Sequence, residues 1–217
     1  AVVTGSSKGI GKAVAVKLLS EGATVVLNGR NPDQIEKTRK ALSANGKELE
    51  AITCDASDSN AFRMLLETVN SKFGRLDILV LNAGVSTYGE VEKVSDEALE
   101  KVMRINTTGP ARGARMALPY IRETRGSIVF ISSLAGLHGL PSSSVYSMSK
   151  MALTALAQSL KIELTGSGVH IGIAYVGFTV NEPDKTTVAP DGSIRPLQER
   201  PGWVQQPVDK VARKIVR

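Results

Sequence analysis

Short apolar runs alternate with longer segments of helical period from one end of the chain to the other. This alternation constrains the fold more than any other feature of the sequence. Residues 2–3, 23–27, 48–54, 76–81, 127–131 and 169–176 read as strands. Between them, 10–20, 32–44, 58–73, 95–123 and 143–165 read as helices, the fourth interrupted near Gly109-Pro110. The 76–81 run is almost wholly apolar, as a strand covered on both faces must be. Repeated strand–helix units with short connections predict an α/β fold: a doubly wound parallel sheet in three αβα layers, one domain over 1–217. In such a sheet the ligand crevice lies at the carboxyl ends of the strands.

One segment departs from the rhythm. Residues 177–207 hold Pro183, Pro190, Pro196, Pro201 and Pro207 with Gly192 and Gly202. We read it as a long irregular insertion that forms a lid over a substrate, with helical character resuming near Val208.

Charge and composition exclude several functions. The net charge is +6, but Lys and Arg are spread along the chain without interleaved aromatics, and no groove-reading motif accompanies them. Nucleic-acid binding is therefore not expected. The compact basic cluster is Lys210, Arg213, Lys214 and Arg217. No apolar run approaches the length needed to span a bilayer, and no leader is visible. The chain opens on a strand and stops within a helical pattern, so both ends read as trimmed. The single cysteine, Cys54, reads as a small packed residue, and with no intrachain disulfide possible a reducing, cytoplasmic setting is the expectation. No metal site is expected.

Thr4-Gly5-Ser6-Ser7-Lys8-Gly9-Ile10-Gly11 joins the first strand to the first helix. Gly5, Gly9 and Gly11 allow a tight turn and a close approach of backbone to a pyrophosphate, with Ser7, Lys8 and Ile10 alongside. The following helix offers free N–H groups and a positive dipole end. A nucleotide-hydrolysing P-loop fails on spacing: Ser6 stands where its first glycine belongs, and Ala13 where Ser or Thr belongs. At the end of the second strand, Val25-Val26-Leu27-Asn28-Gly29-Arg30 carries no acid to accept from a ribose 2′-hydroxyl. Arg30, with Lys8 nearby, suits a 2′-phosphate instead, so NADP(H) is the expected cofactor.

Three further signals complete a pattern. Asn82-Ala83-Gly84 ends the fourth strand, Ser132-Ser133 ends the fifth, and Tyr146-Ser147-Met148-Ser149-Lys150 lies on the next helix. Tyr146 and Lys150 are four residues apart and share a helix face. An ammonium beside a phenol favours the phenolate and lowers its pKa from about 10. Taken together, the chain resembles the short-chain dehydrogenase/reductase family over essentially its whole length. The resemblance implies a Rossmann-type fold and an oxidoreductase that reduces a ketone or aldehyde by hydride transfer from NADPH. It implies that Tyr146 is the general acid, that Lys150 holds the nicotinamide ribose and that Ser133 orients the substrate oxygen. It further implies that Asn106 interrupts a helix and anchors a relay water near Lys150, and that Asp55 contacts the adenine. Asn82, Ala83 and Gly84 belong to the expected cofactor site.

After the sixth strand the resemblance weakens. Val176 stands where the family has proline, and Asn181 where it has threonine. Gly177 is kept, and Thr179 backbone groups remain available for the carboxamide. Phe178, Val188, Leu197 and Trp203 favour a lipophilic carbonyl, a 3-oxoacyl compound among the possibilities. The family resemblance implies a homodimer or homotetramer packed through the helical regions 95–122 and 143–165. The rival reading is a non-catalytic NADP-binding regulator on the same fold; His138, between Ser133 and Tyr146, is read as a loop histidine with no role.

Overall fold

The structure is a computed structural model that describes residues 1–43, 49–180, 182, 185–197 and 201–217. Six parallel strands form the main sheet: β1 (Val2–Val3), β2 (Val25–Gly29), β3 (Leu49–Thr53), β4 (Ile78–Leu81), β5 (Ser127–Ser133) and β6 (His170–Val176). Their order is β3-β2-β1-β4-β5-β6. The chain winds outward from β1 to β3, then returns to lay β4 against the other side of β1. That reversal makes the crevice above β1 and β4 the place where such sheets take ligands.

Strand side chains alternate between two cores. Val2, Val26, Leu79, Leu81, Ile128 and Phe130 enter one. Val3, Val25, Leu27, Val80 and Ile131 enter the other. Burial on both faces is the reason these strands read as continuous apolar runs rather than as alternating ones. The first core is closed by α3 (Ser59–Phe73), α5 (Gly109–Thr124) and α6 (Ser144–Glu163), through Phe62, Leu66, Ala117 and Leu153. The second is closed by α1 (Gly9–Ser20), α2 (Pro32–Ser43) and α7 (Val208–Ile215), through Val14, Leu18, Ile35 and Val211. Local signals fix the helix ends. The Asp58 carboxylate caps α3 by accepting from the Ala61 N–H at 2.8 Å, and Gly74 closes the helix in the left-handed region. Ser95 caps α4 (Asp96–Met103) in the same way.

The interruption expected near Gly109-Pro110, and at Asn106 from the family resemblance, is a π-helical turn over Arg104–Thr108. Pro110 has no N–H and its ring crowds the carbonyl four residues back, so the preceding turn widens. The Gly109 N–H then bonds the Arg104 carbonyl, five residues back. A Cβ on Gly109 would stand 2.9 Å from that oxygen and 3.1 Å from Ser57, so the wide turn needs glycine there. The proline-rich insertion, read as irregular, contains an antiparallel hairpin, β7 (Thr186–Val188) and β8 (Ile194–Pro196). Its turn passes through Gly192 at φ +82°. The hairpin docks beside the crevice: the Val188 N–H donates to the Ser86 carbonyl at 2.9 Å, the Ser95 N–H to Pro190 at 2.8 Å, and Lys101 Nζ to Gly192 at 3.2 Å. Among the described residues no helix is long and apolar enough to cross a membrane.

Candidate active site

The glycine loop is held open by its own hydrogen bonds. Gly5 and Gly9 have φ near +60°, a region that side chains other than glycine adopt at a cost. Gly11 is required for a different reason: its Cβ would meet the Gly5 carbonyl oxygen at 2.4 Å and Asn82 Nδ2 at 2.5 Å. Asn82 is spent on this loop, with Nδ2 donating to the carbonyls of Thr4 (2.9 Å) and Gly5 (3.0 Å). Thr4 answers from β1, its Oγ1 accepting from the N–H groups of Asn82 (2.9 Å) and Ala83 (3.0 Å). Thr38 Oγ1 donates to the Ser7 carbonyl at 2.7 Å. Thr4 and Asn82 thus lock the ends of β1 and β4 together at the switch point.

A cavity of about 170 Å³ runs from this loop across the ends of β2 and β3, lined by Ser7, Lys8, Arg30, Asp55 and Ala83 among others. Asp55 is anchored there, accepting from the Ser57 N–H (2.8 Å) and hydroxyl (2.7 Å) and lying 3.7 Å from the Arg104 guanidinium. Burial raises its pKa, but the Ser57 bonds and the Arg30 and Arg104 charges outweigh that and leave it lowered. Asn28, at the end of β2, turns inward and donates to the carbonyls of Ile52 and Cys54, so no acid faces a ribose from that strand. Cys54 is half-buried, and burial first of all raises its thiol pKa, which fits a packed residue rather than a nucleophile.

On the other side of the glycine loop a cavity of about 420 Å³ opens over β4, β5 and β6. Gly9, Ser133, Tyr146, Lys150, Thr179 and Lys185 all line it. Ser133 ends β5 and shares a side-chain hydrogen bond with the Tyr146 hydroxyl. Lys150, one turn along α6, is 5% exposed; its Nζ donates to the Ile131 carbonyl at 3.0 Å and stands 5.9 Å from the Tyr146 ring centroid. The Asn106 side chain, presented by the π turn, accepts from the Val85 N–H at 2.8 Å and donates to the Val85 carbonyl at 2.8 Å and Ser149 Oγ at 3.0 Å. A Cβ on Gly84 would lie 3.2 Å from Asn106 Oδ1 and 3.4 Å from Lys150 Nζ, so Gly84 keeps the space between those two groups free.

The electrostatics correct one expectation. Lys150 was expected to draw the Tyr146 pKa down, yet the phenol is raised: burial dominates, and the Ser133 hydrogen bond offsets it only in part. Lys150 itself is lowered from 10.5 to about 8, by burial and then by the charge of Lys185. The ammonium gives its hydrogen bond to a backbone carbonyl, and burial rather than its charge sets the direction of the Tyr146 shift.

The two cavities share Lys8, Arg30, Gly84 and Val85 and form one groove across the strand ends. Its middle is the backbone at the start of α1. That is the shape and donor chemistry of a dinucleotide site, with a pyrophosphate over the glycine loop. A profile of the short chain dehydrogenase family matches residues 1–190. The chain belongs to that family.

Similar proteins are described with NAD in some cases and with NADP in others. A mouse 3-ketodihydrosphingosine reductase is 35% identical over 92% of this chain and 60% of its own length. An uncharacterised NAD-dependent oxidoreductase of Mycobacterium tuberculosis is 33% identical over 94% of this chain and 78% of its own. The alcohol dehydrogenase of the archaeon Thermococcus sibiricus, solved with 5-hydroxy-NADP, superposes with a TM-score of 0.86 at 25% identity, covering 99% of this chain and 87% of that one. The chain is thus a member of an oxidoreductase family whose solved structures bind nicotinamide dinucleotides.

The departure from the family pattern after β6 has a clear local structure. Val176 continues the strand opposite Ser133, a place where a proline would have no N–H to offer the ladder. Beyond it, the Gln206 N–H donates to the Phe178 carbonyl at 2.9 Å and the Val180 N–H to the Gln206 carbonyl at 3.1 Å. Thr179 is buried, and its Oγ1 donates to the Gly177 carbonyl at 3.1 Å. Asn181 lies outside the described residues. His138 lines the wider cavity, as does Tyr88. Sequence reading missed Thr4, Ser149, Glu182 and Lys185 as neighbours of the site. Thr4 was visible in the loop motif, but nothing in a proline-rich run marks one charged residue as pointing inward.

Proposed function

We propose that this chain reduces a ketone or aldehyde to an alcohol with NADPH, with Tyr146 as the proton donor. The observation that carries the reading is the hydrogen-bonded Ser133–Tyr146 pair at the carboxyl end of β5, with buried Lys150 and Asn106 behind it, opening into the groove that starts at the glycine loop. When bound, the cofactor supplies the hydride. Tyr146 holds the proton for the carbonyl oxygen, and its raised pKa keeps the phenol protonated at neutral pH, the state a reductase needs. Ser133 Oγ orients that oxygen. Lys150, charged below about pH 8, suits the ribose hydroxyls next to Tyr146. Asn106 is a positioning residue: it fixes Val85 and Ser149, and its Oδ1 lies with Lys150 Nζ around Gly84, where this reading puts the relay water.

Preference for NADP(H) rests on Arg30 and Lys8 at the ribose end and on the inward-turned Asn28. Gly5, Ser7, Gly9, Ile10, Gly11, Asp55, Asn82, Ala83, Gly84, Gly177 and Thr179 make up the rest of the cofactor groove in this reading. A lipophilic or 3-oxoacyl substrate is supported by Leu134, Leu137, Phe178 and Val180, each over 40% exposed. Leu134, Phe178 and Val180 line the cavity mouth. The 3-ketodihydrosphingosine reductase relative points the same way. The docked β7–β8 hairpin is read as the base of a substrate lid over 177–207, and a homodimer or homotetramer as the assembly. The test is NADPH and NADH oxidation by purified protein against 3-oxoacyl thioesters, steroid ketones and small diketones. NADPH-linked turnover of any of them supports the reading. Tight NADPH binding with no turnover across the panel favours a binding protein.

A further inference from the structure

The α1 helix begins without a cap of its own. Lys8, at the N-cap, makes no side-chain cap bond, and the first turn has no acid. The partner of the Gly9 N–H comes instead from 173 residues away: Glu182 Oε1 accepts from it at 2.9 Å. Glu182 belongs to the segment that follows β6, and it lines the same cavity as Tyr146 and Lys150. A carboxylate is well placed there, because a helix N-terminus favours an anion. It is also the place where a dinucleotide needs its phosphate. Above Gly9 the space is open, with nothing within 4 Å of where a Cβ would stand.

A second charge on the same segment has the opposite sign. Lys185 is largely withdrawn from solvent, and its pKa is lowered by burial and then by Lys8. It is near enough to Lys150 to lower that group's pKa in turn. Lys8, Lys150 and Lys185 therefore all line one cavity, and their summed charge favours an anion there. The Lys185 N–H donates to the Glu182 carbonyl at 3.0 Å, which ties the two residues together.

We propose that Glu182 is a built-in stand-in for a cofactor phosphate, and that Lys185 is a binding residue for the phosphate that displaces it. The proposal rests on the dinucleotide reading above. The Gly9 N–H has one proton to give, and two anionic oxygens held about 3 Å from the same nitrogen repel each other. Glu182 and the pyrophosphate therefore exclude each other at that atom. The outcome is a cofactor affinity set below what the glycine loop alone provides, with faster release.

The test is NADPH binding by fluorescence titration, with dissociation followed by stopped flow. Glu182→Gln keeps an oxygen that can accept from Gly9 but removes the competing charge. It is expected to lower the NADPH Kd by about tenfold, about 1.4 kcal/mol, with most of the change in slower dissociation. Lys185→Gln is expected to raise Kd by about tenfold, on the scale of one lost charge-assisted contact. Asp209→Asn, at an exposed acid in the first turn of α7, makes the same change in net charge as Glu182→Gln and is expected to leave Kd unaltered. An unchanged or higher Kd in Glu182→Gln, with wild-type binding intact, overturns this proposal alone. If wild-type protein binds neither NADPH nor NADH, the dinucleotide reading falls and this proposal with it.

Discussion

Lys150 Nζ stands 5.9 Å from the centroid of the Tyr146 ring and gives its hydrogen bond to the Ile131 carbonyl, not to the phenol. The two side chains share a helix face, yet each is tuned mainly by its own burial: the phenol is raised and the ammonium lowered to about 8. Burial pushes both toward their neutral forms, and the neutral phenol is the form that donates a proton.

The position of Lys150 predicts a pH limit. If its charge is needed to hold the cofactor ribose, kcat/KM for reduction declines as pH rises through about 8. A pH–rate profile checks this; a flat profile to pH 9.5 would remove the ammonium from the mechanism.

The same lysine predicts a trade of stability against function. Between about pH 8 and its ordinary value of 10.5, the unfolded chain binds more protons at this site than the folded one. Stability contributed by this group therefore rises with pH across that window and is lowest below it. Lys150→Met removes the buried charge. It is expected to raise stability at pH 7 by about 1–2 kcal/mol, or roughly 2–8 °C in melting temperature for a chain of this size. Turnover is expected to be lost. A melting temperature that falls instead would show that the Ile131 contact outweighs the buried charge.

Tyr146→Phe separates an enzyme from a binding protein. The ring stays, so the packing of α6 against β5 should hold, but the transferable proton is gone. Turnover is expected to fall by about 10²–10⁴-fold, the usual scale of general-acid catalysis, with NADPH Kd changed little. Unaltered turnover in this variant would exclude the proton-donor role.

At the other end of the groove, Arg30 and Lys8 line the cavity next to Asp55. A charge-assisted hydrogen bond is worth about 1.5–3 kcal/mol. Allowing for the exposure of Arg30, its replacement by Ala is expected to weaken NADPH by about tenfold and to leave NADH nearly untouched. Paired titrations measure the difference. Equal losses for both cofactors would mean that Arg30 acts through Asp55 and not through a 2′-phosphate.

Much of this site was legible because its parts are local. The glycine loop, the β4 and β5 ends and the Tyr146–Lys150 spacing each sit within a few residues of chain, and two-sided burial left the strands as apolar runs. Other features depend on long-range packing. The π turn needed Gly109 packed on Ser57, which no periodicity records. The β7–β8 hairpin was hidden because prolines at 190 and 196 read as breakers, although Pro190 sits in the turn and Pro196 at the end of β8. The direction of the Tyr146 shift depends on how deeply the phenol is buried, and spacing does not carry that.

Asn106 gives the most direct stability test of the site. Its side chain satisfies both the N–H and the carbonyl of Val85 and adds a bond to Ser149, and it is fully buried. Asn106→Ala leaves the Val85 N–H and carbonyl without a partner beside the cavity, while Ser149 Oγ keeps its bond to the Tyr146 carbonyl. Each such group costs about 1–3 kcal/mol, less where water enters. The space vacated by the amide borders Lys150 and admits water, so the lower part of the range applies, about 2–4 kcal/mol in total. That corresponds to a melting temperature lower by roughly 4–16 °C. Asn106→Asp keeps the acceptor for Val85 N–H but loses the donors and sets a carboxylate beside the Lys150 ammonium. It is therefore expected to raise the Lys150 pKa and move the alkaline limit of activity upward, a shift that a purely structural asparagine would not produce. Thermal melts with pH–rate profiles on both variants test the two effects separately.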